Sequence, residues 1–189
     1  MAQTAPRRTP PLTVEDYLCI EEQSSIKHEY VGGQLYALSG AAERHNRIVG
    51  NIFARLWTAA RGGPCRVFGS DMRLRISDKA VYYPDVQVVC DPTDTEQSYK
   101  TSPCVIVEVL SPSTQSIDLR EKLLAYRLIE SLRAYVIVYQ DQRRVMRHYR
   151  DNDAAWWDAE LVGEGKVPFA CPELELTLAD IYEGLAPAG

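Results

Sequence analysis

The run VIVEVL, residues 105–110, constrains this chain more than any other stretch. Val105, Ile106, Val107, Val109 and Leu110 leave neither face of a strand polar, which is how a strand covered on both sides is composed. A second run of this kind, LRAYVIVYQ at 132–140, follows a segment with helical spacing over 117–131. Two neighbouring apolar strands with a helix between them predict a parallel pair joined by a right-handed crossover. Glu108 is the residue that does not belong. A carboxylate isolated in such a strand costs several kcal/mol or takes up a proton. Glu108 therefore predicts a partner: a cation, a salt bridge or a wet strand end.

The segments around this unit extend the pattern. Thr13 or a neighbour can cap a short helix over VEDYLCIEEQ, and HEYVGGQLYAL (28–38) reads as a hairpin turning at Gly32-Gly33. Ile48, Val49, Ile52, Phe53, Leu56, Trp57 and Ala60 recur at i, i+3, i+4 and predict a helix from Ala42 to Ala60. RVFGSDMRLRI (66–76) and AVYYPDVQVVC (80–90) read as two further strands, the second at an edge or bulged at Pro84. RRVMRHYR (143–150) pairs back on the 132–140 strand and reads as an outer strand whose charges blunt its edge. Beyond it the pattern weakens, apart from a short strand or helix near LTLADIYEGL. Helix, three strands, helix and strand make a mixed α/β (α+β) fold: a central sheet flanked by helices, with an N-terminal helix and hairpin and a C-terminal hairpin extension. Residues 1–12 are expected to be disordered and 13–189 to form a single domain.

Three residues carry candidate chemistry. Asp85 falls on the same strand face as Gln87, a polar notch in an apolar strand, while Glu108 shares a face with Ile106 and Leu110. Two acids on neighbouring strands would repel by about 4 kcal/mol at contact range, and a hard divalent cation turns that repulsion into binding. On the 117–131 helix, Lys122 falls within the stripe of Leu119, Leu123, Ala125, Tyr126 and Ile129, with Asp118 one turn earlier. The alternatives are acids paired with arginines, and an Asp118–Lys122 pair that snorkels to solvent.

YPDVQVV, VIVEVLSPST and DLREKLLAY together resemble the PD-(D/E)XK phosphodiesterases, and within them the Uma family of restriction endonucleases, from about Thr13 to about Tyr182. That resemblance implies a restriction-endonuclease-like core and Mg²⁺ (or Mn²⁺) held by Asp85 and Glu108, with help from the Val109 carbonyl. It also implies Lys122 as the catalytic lysine. In the superfamily pattern the lysine stands two residues after the acid, where this chain has Leu110; the narrower family resembles this chain in taking it from the next helix. Glu29, His45, Gln87, Asp118 and Tyr126 are secondary candidates. His45, on the inward face of its helix, reads on residue pattern alone as a capping or structural histidine. The implied activity is metal-dependent hydrolysis of nucleic acid, with DNA the expected partner. The alternatives are a catalytically silent nuclease fold that binds nucleic acid or protein, a hydrolase of small phosphate esters, and a purely structural domain.

Charge permits this and goes no further. Residues 151–189 carry a net of −8, which leaves 1–150 at +3, and sixteen of the 21 bases are arginine. Arginine suits forked phosphate contacts. No apolar run reaches the roughly 20 residues of a membrane span, so a cytoplasmic protein without a membrane partner is expected, with a homodimer plausible by analogy. The five cysteines, far apart and never in C-x-x-C spacing, are expected to be reduced apolar residues.

Overall fold

The computed structural model describes residues 11–110 and 118–186; the expectations for the 1–10 tail and for a Ser116 helix cap lie outside them. Thr13 closes a capping box with Asp16 at the start of α1 (Val14–Gln23), where two otherwise orphaned donors are satisfied reciprocally. The hairpin forms as β1 (His28–Val31) and β2 (Gln34–Ala37). Gly33 has φ +90, and a Cβ there would lie 2.5 Å from that of Pro11, so only glycine suits the turn. α2 (Glu43–Ala60) buries Ile48, Ile52, Leu56 and Ala60; Trp57, expected on this face, is largely exposed.

The two strands expected next are each broken in the middle. β3 (Arg66–Gly69) and β4 (Arg73–Arg75) are separated by a turn closed from Met72 N to Gly69 O at 3.0 Å. β5 (Ala80–Tyr82) and β6 (Val86–Val89) are separated at Tyr83-Pro84-Asp85. Pro84 thus marks a strand break and not a sheet edge: a residue without a donor falls where the chain leaves one ladder for another. β7 (Tyr99–Lys100), β8 (Val105–Leu110) and β9 (Ala134–Tyr139) follow, and between the last two the described helix α3 opens with a π-turn, Asp118–Lys122, before Leu123–Tyr126. It ends earlier than 131, and its outer leucines Leu124 and Leu128 are exposed. β10 (Arg144–Arg150) pairs with β9 as expected.

The tail, less periodic in sequence, supplies β11 (Trp156–Val162), β12 (Lys166–Ala170), β13 (Glu173–Thr177) and the short α4 (Leu178–Ile181). β11 pairs along all of β10, which makes β10 an interior strand and corrects the outer-strand reading. Arg144 is bonded to Glu160, His148 Nδ1 lies 2.6 Å from Asp158, and Arg127 lies 3.2 Å from the same aspartate. Acids of the tail thus pair with bases of the preceding segments, which offsets part of the charge contrast seen along the sequence.

One sheet runs β11-β10-β9-β8-β6-β3 and another β2-β1-β5-β4-β7, while β12 and β13 form a separate hairpin. Within the larger sheet β8 and β9 are parallel, as the crossover requires, and their neighbours antiparallel. Val105, Val107 and Val109 face a core shared with α2, α4 and the β12–β13 hairpin. Ile106 and Leu110 face a second core containing Tyr82, Tyr126, Tyr135 and Ile137. The alternation therefore directs Glu108 into the second core, toward α3.

Burial pushes the Tyr182 hydroxyl up to about 12 and raises those of Tyr17, Tyr82 and Tyr126 further. In the unfolded chain each titrates near 10. The folded values are the higher ones, so the stability they contribute is complete below pH about 10 and is lost as pH rises beyond it. Each such tyrosine is expected to remove up to about 1.4 kcal/mol per pH unit above that point. Urea midpoints recorded from pH 8 to 11 should hold steady and then fall steeply; a flat profile would contradict the burial.

Candidate functional site

Lys122 lies where the helical stripe put it, on the inward side of α3, and its side chain is 6% exposed. Its Nζ lies 3.1 Å from Glu108 Oε1 and 3.1 Å from Glu29 Oε1. Below it, the Tyr126 hydroxyl donates to Glu108 Oε1 at 2.8 Å. That phenol is wedged edge-on between the rings of Tyr82 and Tyr135. Burial, then the nearby Glu108 charge, raises its pKa well above the ordinary tyrosine value, so it is a fixed donor at neutral pH. The face of Tyr82 lies 5.4 Å from the ammonium, a cation–π contact that offsets part of the cost of burying a lysine.

Asp85 reaches the same place from the break before β6. Its Oδ2 accepts the Val109 amide at 2.7 Å, and its own amide lies 3.4 Å from Glu108 Oε2. His45, in the first turn of α2, places Nε2 3.2 Å from Asp85 Oδ2. The N-cap of α2 is Ala42, which makes no side-chain cap, and the His45 imidazole faces the aspartate. Glu29 arrives on β1, from the smaller sheet, and also accepts the Tyr83 amide at 3.2 Å. Four elements and the break before β6 thus contribute Glu29, His45, Asp85, Glu108, Lys122 and Tyr126 to one place.

Gln87 departs from expectation. Its amide donates to the Met72 carbonyl at 2.7 Å, so it fastens the turn between β3 and β4 and does not reach the acids or the lysine. Asp118 begins the π-turn of α3, and its side chain lies outside the described residues. Tyr82 and Tyr83 escaped the sequence reading, although they immediately precede Pro84-Asp85. The Tyr83 hydroxyl donates to Glu21, which also accepts the His28 amide and so secures the start of β1.

Among the described residues the carboxylates here outnumber the cations: Glu29 and Glu108, both buried, meet the ammonium of Lys122, and Asp85 adds a further carboxylate beside a histidine. Surplus negative charge on hard oxygen donors fits a divalent cation of the magnesium type. Among the described residues, three His, Cys, Asp or Glu donor atoms within 4.8 Å of one another occur only in a cysteine group elsewhere. The acids thus fit a cation that keeps waters and phosphate oxygens in its shell. Asp85 and Glu108 are the residues that would hold it. Among the described residues Asp85 meets His45 and Glu108 meets Lys122, with no arginine paired to either acid.

Residues 14–180 match the family model Uma2, described as "Putative restriction endonuclease". Two proteins of Synechocystis sp., the uncharacterized proteins slr1290 and sll1609, are similar along most of their lengths. The first is 32% identical over 94% of both chains, the second 36% identical over 81% of this chain and 89% of its own. Among solved structures, a crystal structure titled "putative nuclease belonging to DUF820" from Anabaena variabilis superposes with a TM-score of 0.75. At 16% identity it covers 91% of this chain and 98% of its own, and it shares the fold.

Proposed function

Because the chain belongs to the Uma2 family of restriction-endonuclease-like proteins, we propose that it is a metal-dependent endonuclease of the PD-(D/E)XK type, acting on DNA with Mg²⁺ or Mn²⁺. The observation that carries this reading is the buried lysine. Lys122 lies 3.1 Å from Glu108, and Asp85 meets the same glutamate across the β6–β8 ladder. Holding an ammonium in the second core costs desolvation that an apolar side chain would not incur. A purely structural role therefore gives no reason for a lysine at this place.

Asp85 and Glu108 would hold the cation, which would supply a bound water of lowered pKa and offset charge on the phosphate. The chain's own side chains do the rest. Lys122 fixes a positive charge where the five-coordinate phosphorus gathers negative charge, so little reorganisation is needed as the barrier is crossed. Tyr126 and Lys122 together orient the Glu108 carboxylate. The Val109 amide and His45 orient Asp85, the more exposed of the two acids at 16%, which gives the phosphate its approach. His45 stands in the first turn of α2, whose partial positive charge favours an anion on that side.

A silent, binding-only domain has one observation in its favour: the ammonium sits between two carboxylates and is not presented to solvent. One assay separates the two. Wild type and Glu108→Ala are incubated with supercoiled plasmid, single-stranded DNA and RNA in Mg²⁺ or Mn²⁺, with and without chelator. Wild type should nick or linearise the plasmid only when metal is present, and the variant should not. Equal cleavage by both proteins points to a contaminant, and no cleavage of any substrate leaves the binding role.

A further inference from the structure

A second cluster lies at the opposite end of the strands that carry the acids. Asp85 precedes β6 and Glu108 stands toward the end of β8, whereas Cys90 follows β6 and Cys104 precedes β8. Cys65 comes just before β3, where the register Arg66↔Val89 brings it opposite Cys90. The Cys104 amide donates to the Val88 carbonyl at 2.7 Å, which sets it beside them. Cys171 enters from the turn between β12 and β13. The four are paired as disulfides, Cys65–Cys90 and Cys104–Cys171, which corrects the expectation of scattered reduced cysteines. The two disulfides also touch, with Cys90 Sγ 3.4 Å from Cys104 Sγ. The sulfurs of Cys90, Cys104 and Cys171 all lie within 4.8 Å of one another.

We propose that in the reduced protein these four cysteines form a tetrahedral thiolate site for a zinc ion, separate from the acidic site. Zinc in structural sites takes four such ligands at about 2.3 Å, which places sulfurs about 3.8 Å apart. Cys90 Sγ and Cys104 Sγ, 3.4 Å apart, already stand near that spacing, and Cys65 and Cys171 take their places once reduction parts them from Cys90 and Cys104. The donors are soft thiolates, half-buried against the main core and held on four separate segments by backbone pairing. That composition selects zinc over the hard cation suited to the carboxylates. The guanidinium of Arg66, adjacent to Cys65, bonds the carbonyls of Asp91 and Asp94 and so secures the chain leaving Cys90.

The conversion balances. Two molecules of a dithiol reductant deliver four electrons and four protons to the two disulfides, giving four thiols and two oxidised dithiols. One Zn²⁺ then binds with release of those four protons. Each form ties the β12–β13 hairpin to the β6–β8 end of the sheet, one by covalent bonds and the other through metal. Cys19, exposed on α1, takes no part.

The test uses the full chain, reduced with a phosphine and titrated with Co²⁺ as a coloured substitute and then with Zn²⁺. One equivalent of Co²⁺ should bind with the strong visible absorption of tetrahedral thiolate coordination, and Zn²⁺ should displace it. With zinc present, alkylation should reach Cys19 and spare the other four. Cys19→Ser should keep the full equivalent, whereas Cys171→Ser and Cys90→Ser should lose it. If these variants fail to fold, alkylation of the wild type decides alone. Modification of all five thiols in the presence of zinc, or uptake of less than one equivalent, overturns the proposal.

Discussion

A Lys122→Met variant is expected to lose about 10²–10³-fold in DNA cleavage and about 3–5 kcal/mol in stability. Both effects follow from one change. The ammonium is a counter-charge of two buried carboxylates, so its removal takes away the cation that Glu29 and Glu108 share among the described residues. Methionine fills a similar volume and touches the same apolar surroundings, so lost packing is not the main cause. Adding Glu29→Gln to Lys122→Met separates the two effects. The double variant removes one unpaired charge and should recover about 1 kcal/mol or more of the stability, measured by urea unfolding. Cleavage should not return, because the charge at the phosphate is still missing. Recovery of both together would mean that the lysine matters only for folding. A Lys122→Met protein more stable than wild type would favour the purely structural reading.

Asp85→Asn should give the complementary result: a loss of about a thousandfold or more in cleavage with a stability change within about 1 kcal/mol. The amide is isosteric, and its oxygen can still accept the Val109 N–H that now reaches Oδ2 at 2.7 Å. Asp85 is also the more exposed of the two acids, so its loss of charge perturbs the core little. What disappears is one of the two charges that attract the cation. Thermal unfolding gives a readout independent of turnover. Mg²⁺ or Mn²⁺ should raise the midpoint of wild type by mass action and leave that of Asp85→Asn unmoved. Activity within tenfold of wild type, or an equal metal-induced rise, would remove Asp85 from the metal site.

The two variants probe different parts of one constellation. Lys122, Glu108, Glu29 and Tyr126 lie in the second core, where a broken pair is costly to the fold. Asp85 and His45 lie at its opening, where charge can change at little structural cost. A site built this way ties catalysis and stability together on one side and separates them on the other.

Some of this was legible in local periodicity. Two-residue alternation along VIVEVL settled which core Glu108 faces, and the 3.6-residue spacing settled that Lys122 lies on the inward side of α3. The Thr13 cap, the Gly32-Gly33 turn and the apolar stripe of α2 are likewise short-range patterns, set by backbone geometry within a few residues. These features persist because the chemistry that enforces them is contained in the segment itself.

Tertiary structure alone decided the rest. Residues 66–76 and 80–90 each read as one strand, yet each segment divides between two sheets, because pairing with distant strands sets where a ladder ends. The acidic tail gave weak signals since half of β11 is exposed, and only its pairing with β10 orders it. Glu29 and His45 become neighbours of Lys122 and Asp85 through contacts between β1, α2 and the central sheet that no local spacing encodes. The four cysteines are separated by 25, 14 and 67 residues along the chain, and strand register brings them together. Sequence by itself determined the kinds of element and the direction each side chain faces, because those depend on neighbours within a turn or a strand; which faces meet was decided by long-range pairing and the burial that makes it favourable.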